Sequence, residues 1–293
     1  LAIFYFLGKQ FTHDWERIRS FSFNFNFSLL SLSVILYVLT FFILSLGLYI
    51  MMLYFHHHVP FYLNWLYFCI TQPAKYIPGK IWIAMARMKF FKKHEVPNAV
   101  TFLATGIESV MEICAGAYIS IIAILKSDIL DGASWWGIII VSIIGFILLY
   151  PPIFYFFINL YLKIVKLPHI EKNQRVSFLK IILLQIVYVA GMFMLGFAHL
   201  VFLQSFAPVG SEYFAFLISI SAFSYVASMI ALFAPSGLGV REGVWFLALK
   251  TIVTSPIAII YAFASRIWTI VIEAILLFIA LPILWITQRR VKK

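Results

Sequence analysis

Residues 72–87 read QPAKYIPGKIWIAMAR and place two lysines, an arginine and two prolines inside an otherwise apolar stretch. A basic side chain at the centre of a bilayer costs about 2.5 to 3.5 kcal/mol on insertion scales, so it persists there only beside water, a carboxylate or an anion. Residues 234–250, APSGLGVREGVWFLALK, repeat this pattern. We name these stretches the first and the second interruption, and we expect the functional site to lie in them.

The composition of the chain excludes a soluble globular protein. Of its 293 residues, 63% are hydrophobic and only 11% are charged, and the mean hydropathy is +1.00. A soluble domain of this length needs a polar surface that this composition cannot supply, whereas a polytopic membrane protein matches it. The net charge of +11 fits basic loops that face anionic lipid head groups. It does not require a nucleic-acid partner.

Several windows are apolar over the length of about 20 residues that a membrane span needs. They are residues 29–55, 99–125, 135–162, 176–203, 213–233 and 256–286. We predict an all-α polytopic membrane protein with about seven or eight transmembrane elements, including broken or re-entrant segments at about 61–91 and 212–254. Residues 1–293 form one transmembrane domain in this interpretation. The apolar residues 1–8 are too short to span, and we expect them to be the tail of a helix whose start is missing.

The distribution of Lys and Arg predicts the orientation of the chain. These residues cluster at 9–19, 89–93, 163–180 and 289–293, and they are sparse at 56–60, 126–131 and 205–212. By the positive-inside rule the basic regions are cytoplasmic, which predicts a multi-pass protein of the cell membrane with a cytoplasmic C-terminus. Residues 213–254 must then begin and end on the outer side. A helix with a broken return and a re-entrant hairpin satisfy this condition equally well.

Each interruption predicts a break between two half-helices. Gly79 lets the backbone turn ahead of Lys80, and Gly237 and Gly239 do so ahead of Arg241. Unwound backbone at membrane depth must be covered by protein or line a wet cavity, and a helix N-terminus beside Lys or Arg binds phosphate or carboxylate well. We therefore predict an anion-binding cavity. The alternative is that each interruption is a kinked, tightly packed helix whose lysine extends to the interface.

The glutamates at membrane depth are expected to pair with the basic groups. Glu108 and Glu112 share one helix face, and Arg266 and Glu273 share a face of the last helix. The carboxylates in question are Glu108, Glu112, Glu242 and Glu273, and the cations are Lys75, Lys80, Arg87, Arg241, Lys250 and Arg266. Six cations less four carboxylates leave two positive charges, which favours an anionic ligand. This surplus disappears if Lys75, Arg87 and Lys250 reach an interface.

The sequence favours neither an enzyme nor a metal site. Glu108 and Glu112 could act as an acid and a base, but no nucleophile or metal ligand accompanies them, so ion pairing or proton coupling is the preferred interpretation. The adjacent histidines at 56–58 cannot converge on one ion as helically spaced histidines do. His199 stands alone in an apolar helix and is interpreted as a core or cavity residue. We expect no catalytic residue, no metal and no cofactor.

The chain resembles the lysylphosphatidylglycerol synthase transmembrane family, which includes the flippase domain of the multiple peptide resistance factor and stand-alone bacterial and archaeal relatives linked to lipid or polyprenyl-phosphate-sugar export. The resemblance covers residues 9 to about 286. It is carried by KYIPGKIW at 75–82, then Arg87, Glu108 and Glu112, and above all PSGLGVRE at 235–242. Ser236 replaces a glycine that is more frequent in the family, and serine fits that turn if its backbone stays in an ordinary region.

The resemblance implies a lipid translocase, or flippase, with two re-entrant elements that meet near the middle of the bilayer. Glu108, Glu112, Glu242, Arg266 and Glu273 would hold the charges of the empty site or couple transport to protons. The head-group phosphate would bind to the two half-helix N-termini and to Lys75, Lys80, Arg87 and Arg241, with Gly79, Gly237 and Gly239 forming the turns.

The substrate implied by the resemblance is a membrane lipid with an anionic, phosphate-bearing head group. Because no synthase domain follows Lys293, we favour a polyprenyl-phosphate-linked sugar over a phospholipid such as aminoacyl-phosphatidylglycerol. A separate lipid synthase or glycosyltransferase is then an expected partner, and a homo-oligomer is compatible with the sequence. The first alternative is an integral-membrane transferase that acts on a lipid phosphate, with Glu108 or Glu112 as the base. The second is a structural or regulatory membrane subunit.

Overall fold

The computed structural model describes residues 25–77, 81–126, 147, 150–164, 176–231 and 234–291. Within these ranges the chain is helical and contains no β-strand. The α-helices are α1 Phe27–Tyr54, α2 Phe61–Thr71, α3 Trp82–Phe91, α4 Asn98–Lys126, α5 Pro151–Ile164, α6 Phe178–Gln204, α7 Phe214–Ile230, α8 Val240–Leu249 and α9 Ser255–Val291. Short 3₁₀ helices cover Gln72–Tyr76, Lys92–His94, Ser211–Tyr213 and Pro235–Gly237.

Among the described residues, five helical segments are long and apolar enough to cross a membrane. They are Phe27–Tyr54, Asn98–Ile121, Phe178–Gln204, Ser211–Ile230 and Ser255–Arg289. Each coincides with a window predicted from the sequence, so the prediction of an all-α, multi-pass membrane protein is confirmed at this level. The window at 135–162 lies mostly outside the described residues, apart from the part covered by α5. The total of seven or eight elements stays a prediction.

Three helices of the two broken segments, α2, α3 and α8, are too short to span the membrane. Helix α2 has 11 residues, and α3 and α8 have 10 each, which at 1.5 Å per residue gives about 15 Å, half the thickness of the hydrocarbon core. Helix α2 passes into the 3₁₀ helix Gln72–Tyr76, and Ile77 is extended with φ −80° and ψ 132°. Re-entry of these segments into the bilayer stays a prediction.

Helix α6 organises the long helices, since it packs against α1, α4 and α7. Glycines allow the closest approach: a Cβ on Gly47 of α1 would lie 2.7 Å from the Tyr188 ring of α6, and one on Gly191 of α6 would lie 2.6 Å from Leu44 of α1. Small residues at such crossings are typical of membrane helices, where packing rather than water exclusion holds helices together. The close approach of α1 and α6 therefore depends on glycine at positions 47 and 191.

Helix α9 brings the two interruptions together. It packs against both α2 and α8, and the 3₁₀ helices Gln72–Tyr76 and Pro235–Gly237 contact each other. Elsewhere α9 exposes large apolar side chains such as Ile267 and Phe278, as expected of a surface that lies against lipid. The two interruptions therefore contact each other through these 3₁₀ helices, while their re-entry and their position near the middle of the bilayer stay predictions.

Candidate functional site

Ion pairs connect the interruptions to the long helices. The Lys75 Nζ lies 2.5 Å from Glu273 Oε1, the Arg87 guanidinium pairs with Glu108, and the Arg266 Nε lies 3.6 Å from Glu242 Oε1. All of these residues except Lys75 are buried, and Lys75 keeps 27% of its side chain exposed. We define the charged cluster as Lys75, Arg87, Glu108, Glu112, Arg241, Glu242, Arg266 and Glu273.

Glu273 accepts hydrogen bonds from three side chains of two other elements. Its Oε1 accepts hydrogen bonds from Lys75 Nζ at 2.5 Å and from the Tyr37 hydroxyl at 2.6 Å, and its Oε2 accepts one from the Tyr76 hydroxyl at 3.0 Å. Tyr37 lies on α1 and Glu273 on α9, while Lys75 and Tyr76 belong to the first interruption. A buried carboxylate needs partners of this kind because desolvation penalises its charge. Glu273 therefore anchors the first interruption to the membrane-spanning core.

All three guanidinium nitrogens of Arg87 donate hydrogen bonds to side-chain acceptors. Both terminal nitrogens of its guanidinium donate to the Glu108 carboxylate, the Nη2–Oε1 distance being 3.1 Å, and its Nε donates to the Thr71 hydroxyl at 3.4 Å. Nη1 also reaches Thr105 at 3.4 Å, and the guanidinium lies over the Phe68 ring at 5.1 Å. Arg87 is only 1% exposed. The arrangement fastens α3 to α4 by a bidentate pair.

The second interruption is a turn with left-handed backbone. Ser236, Gly237 and Gly239 have φ angles of 49°, 67° and 87°. The expectation that Ser236 keeps an ordinary backbone conformation is therefore wrong: its φ of 49° and ψ of 30° are left-handed, a conformation that costs a non-glycine residue about 1 to 2 kcal/mol. The turn ends at Gly239, whose N–H donates to Glu242 Oε2 at 2.7 Å and so caps α8.

Arg241 differs from the other cations of the cluster. Among the described residues it has no carboxylate partner, and its Nη2 lies 2.5 Å from Nε2 of His199. Because a guanidinium can only donate, His199 accepts through Nε2 and carries its proton on Nδ1, which donates to the Tyr261 hydroxyl at 2.9 Å. Tyr261 in turn donates to the His199 carbonyl at 3.2 Å. A neutral imidazole holds Arg241, so its positive charge is not neutralised there.

Glu112 has a hydroxyl in place of a cation. The Tyr225 hydroxyl of α7 donates to Glu112 Oε2 at 2.5 Å, and Glu112 is 5% exposed. Arg87, Lys75 and Glu108 lie within electrostatic range of this carboxylate. Glu108 and Glu112, predicted to share a face of one helix, are both buried on α4, but they pair with different elements.

These contacts lie close enough together for the charge of Arg241 to act on several of them. The charge of Arg241 acts at a distance on the hydroxyls of Tyr37 and Tyr76, which bind Glu273, and on that of Tyr225, which binds Glu112. The cations of both interruptions and the carboxylates of the long helices therefore lie in one neighbourhood. Within the described ranges, no group of three or more His, Cys, Asp or Glu side chains is arranged to hold a metal ion.

The structure places most of the predicted site residues in this cluster. Gly79 and Lys80 lie outside the described residues. Lys250, which was counted among the membrane-depth cations, is exposed at the end of α8, so it does not contribute to a buried surplus. The described cluster holds the four cations Lys75, Arg87, Arg241 and Arg266 and the four carboxylates Glu108, Glu112, Glu242 and Glu273. The predicted surplus of two positive charges is therefore not found among the described residues.

Sequence reasoning missed the tyrosines that complete the site. Tyr37, Tyr225 and Tyr261 lie within apolar helices and bind Glu273, Glu112 and His199. A tyrosine in the middle of an apolar helix is a usable signal, because its buried hydroxyl needs a hydrogen-bond partner. His199, interpreted from the sequence as a core or cavity residue, is fully buried and holds Arg241.

An apolar cavity lies apart from these polar groups. It is enclosed by α1, α4, α5 and α6, and its lining includes Met51, Ile107, Met111 and Leu184. Such a lining offers no charged group to a lipid phosphate. The charged cluster, and not this cavity, is the candidate site for an anionic ligand.

Comparison with known proteins gives no independent assignment. No family model matches the sequence, and no curated protein matches it. The resemblance to the lysylphosphatidylglycerol synthase transmembrane family therefore stays a hypothesis that depends on the motifs themselves.

Proposed function

We propose that the chain is a flippase that moves a lipid with an anionic, phosphate-bearing head group between the leaflets of the cell membrane. The substrate class includes polyprenyl-phosphate-linked sugars and phospholipids such as aminoacyl-phosphatidylglycerol. The observation that carries the proposal is Arg241, a cation that a neutral His199 holds, whereas the other described cations of the cluster are paired with carboxylates. The motif resemblance points to the same class of function.

The free energy of a charged head group explains why such a cluster is needed. An unpaired phosphate in hydrocarbon has a prohibitive desolvation cost, whereas a protein site with a cation that is not ion-paired replaces part of the lost hydration. Arg241 supplies that charge without first breaking an ion pair. In this mechanism Lys75 and Lys80 of the first interruption contribute further charge, and the acyl or prenyl chains stay in the bilayer.

The short helices provide the means of alternating exposure. Helices α2, α3 and α8 end within the membrane if the segments at 61–91 and 212–254 are re-entrant, and the 3₁₀ helices at the end of α2 and ahead of α8 contact each other. Broken helices that meet at a charged site are typical of transporters. A shift of one half against the other would open the charged cluster to one leaflet at a time.

A reconstitution experiment tests the proposal. The purified chain is placed in vesicles, and the transfer of fluorescent phosphatidylglycerol between leaflets is followed by dithionite quenching. We expect Arg241→Ala to slow the transfer about tenfold to a hundredfold, the equivalent of one charged hydrogen bond. Lys250→Ala is the matched control, because it removes an exposed positive charge from the end of the same helix. Equal transfer by Arg241→Ala and wild type, with both folded, contradicts the central role of Arg241.

The second candidate function is an integral-membrane transferase that acts on a lipid phosphate. Glu112 favours it, because this buried carboxylate contacts a tyrosine hydroxyl and, among the described residues, no cation forms an ion pair with it. A transferase changes the mass of its lipid, whereas a flippase does not. Mass spectrometry of the vesicle lipids after incubation with candidate donor lipids therefore separates the two functions.

A further inference from the structure

Arg266 has more hydrogen-bonding capacity than its surroundings use. Its Nη1 donates to the Ser236 carbonyl at 3.0 Å, but its Nε and Nη2 are buried and have no hydrogen-bond partner among the described residues. The residue is 8% exposed. A buried donor without a partner costs about 1 to 3 kcal/mol, so two such donors on one guanidinium require an explanation.

The two unused donors form the side-on edge of the guanidinium. Nε–H and one Nη2–H point in parallel, which matches two oxygens of a phosphate or carboxylate. Glu242 Oε1 lies 3.6 Å from Nε, and that oxygen also has no hydrogen-bond partner among the described residues. The pair is therefore close enough for charge attraction but not for hydrogen bonding.

Glu242 is held away from Arg266 by the start of α8. Its other oxygen, Oε2, accepts the Gly239 N–H at 2.7 Å and lies at the positive end of the helix dipole. The Glu242 carboxylate thus stands between a helix N-terminus and the side-on edge of a buried arginine. These are the two groups that proteins most often combine to bind an oxyanion.

The surroundings keep this edge in place and near the protein surface. The Arg266 guanidinium lies over the Tyr76 ring at 5.2 Å, which fixes its plane. Leu238, in the turn between Gly237 and Gly239, is 44% exposed, so the turn lies at the edge of the packed core.

We propose that the side-on edge of Arg266 and the N-terminus of α8 bind one phosphate group, a monoester or a diester, and that Glu242 occupies this oxyanion site when it is empty. This inference deepens the proposed function and relies on it for the lipid that carries the phosphate. It moves Arg266 from a charge-balancing role to direct contact with the ligand. It also makes Glu242 an internal competitor of that ligand.

Two conservative variants with opposite expected effects test the inference. Arg266→Lys keeps the charge but loses the two-donor edge, and we expect it to weaken phosphate binding about tenfold to a hundredfold. Glu242→Gln removes the competing charge while its amide oxygen can still accept the Gly239 N–H, and we expect tighter binding. Arg289→Lys is the matched control, since Arg289 is an exposed arginine on the same helix, α9.

Binding is measured by titration calorimetry of the purified chain in an uncharged detergent. The probes are inorganic phosphate and, separately, short-chain phosphatidic acid, and the probe that binds more tightly shows whether the phosphate is free or carried by a lipid. Weaker binding in Arg266→Lys together with tighter binding in Glu242→Gln supports the inference. Equal affinity of wild type and Arg266→Lys overturns it, as does the absence of binding of both probes to wild type and to Glu242→Gln. Thermal unfolding and gel filtration establish that each variant is folded.

The transfer assay on the same variants separates this inference from the proposed function. If wild type binds a probe through Arg266 but moves no lipid, the flippase proposal fails and the oxyanion site stands. If wild type moves lipid and Arg266→Lys binds both probes and moves lipid as well as wild type does, the oxyanion site fails and the flippase proposal stands.

Discussion

Two buried arginine–glutamate pairs, Arg87–Glu108 and Arg266–Glu242, have the same chemistry, but only the first is joined by hydrogen bonds. Arg87 donates two hydrogen bonds to Glu108 and a further one to Thr71. Arg266 stays 3.6 Å from Glu242 and leaves two nitrogens without a partner among the described residues. The difference arises from the backbone: Arg87 and Glu108 lie within helices α3 and α4, whereas Glu242 caps the start of α8 and Arg266 binds the Ser236 carbonyl of the turn.

The ends of an interrupted helix compete with neighbouring side chains for hydrogen-bond partners. Free N–H and C=O groups at a helix end must find partners, and at the second interruption they find Glu242 and Arg266. These two side chains then cannot form a bidentate pair with each other. The first pair is closed and structural, and the second is open to a ligand.

The largest effect is expected from removing Arg87. Arg87→Ala leaves the Glu108 charge buried without its cation, and the free energy of unfolding should fall by about 3 to 5 kcal/mol. Equilibrium unfolding in mixed micelles measures the loss. The double variant Arg87→Ala/Glu108→Gln should recover part of it, because no charge is left buried. A double variant that is less stable than Arg87→Ala would contradict the assignment of this pair as closed.

Gly237 tests the turn that keeps the second pair open. An alanine there must adopt the φ of 67°, and its Cβ would lie 2.1 Å from Ser228 Cβ and 2.7 Å from Ser228 Cα. We expect Gly237→Ala to lower the free energy of unfolding by about 2 to 4 kcal/mol, from the left-handed backbone and the overlap together. Gly243→Ala is the control, since Gly243 lies within α8 and is not among the positive-φ residues. Similar losses for both variants would show that the turn is not the constraint.

Removing Arg266 should cost less than removing Arg87. Arg266→Ala loses one hydrogen bond to a carbonyl and a long ion pair, and Glu242 keeps the Gly239 N–H, so we expect a loss of about 1 to 3 kcal/mol. The same unfolding measurement gives this value. If Arg266→Ala is as destabilising as Arg87→Ala, the two pairs are equivalent in energy and the distinction between a closed and an open pair is wrong.

The smallest effect is expected at Ser236. Glycine adopts the left-handed conformation of this residue without strain, so Ser236→Gly should raise the free energy of unfolding by about 0.5 to 1 kcal/mol after the added chain entropy of glycine is subtracted. The hydrogen bond from Arg266 is unaffected, because it is accepted by the backbone carbonyl. A higher midpoint of thermal unfolding in detergent is the expected result. A lower midpoint would mean that the Ser236 hydroxyl has a role of its own.

The spans could be predicted closely from the sequence because bilayer thickness alone sets their length. The window at 99–125 matches helix α4, Asn98–Lys126, and that at 176–203 matches α6, Phe178–Gln204. The breaks were predictable for a similar reason, since proline and glycine disturb helices through local backbone geometry. Ser236 was the exception, because the conformation of a single turn residue depends on how the neighbouring helices pack around the turn.

The pairing within the site could not be predicted in this way. The sequence indicated that the glutamates would balance buried cations, because an uncompensated charge is costly in a membrane. It did not indicate that Glu273 takes Lys75, that Glu112 takes Tyr225, or that His199 holds Arg241. These partners come from helices far apart in the chain.

Composition and local backbone chemistry are enough to predict a helical membrane protein with two interruptions that carry charge. Which of these charges have partners depends on how the separate helices pack. Helix α9 sets Arg266 beside the capped start of α8 and Glu273 beside Lys75, and hydrogen bonds need positions defined to a few tenths of an ångström. The spacing of residues along the chain does not define positions so closely, because the distances between these side chains are set by the packing of separate helices.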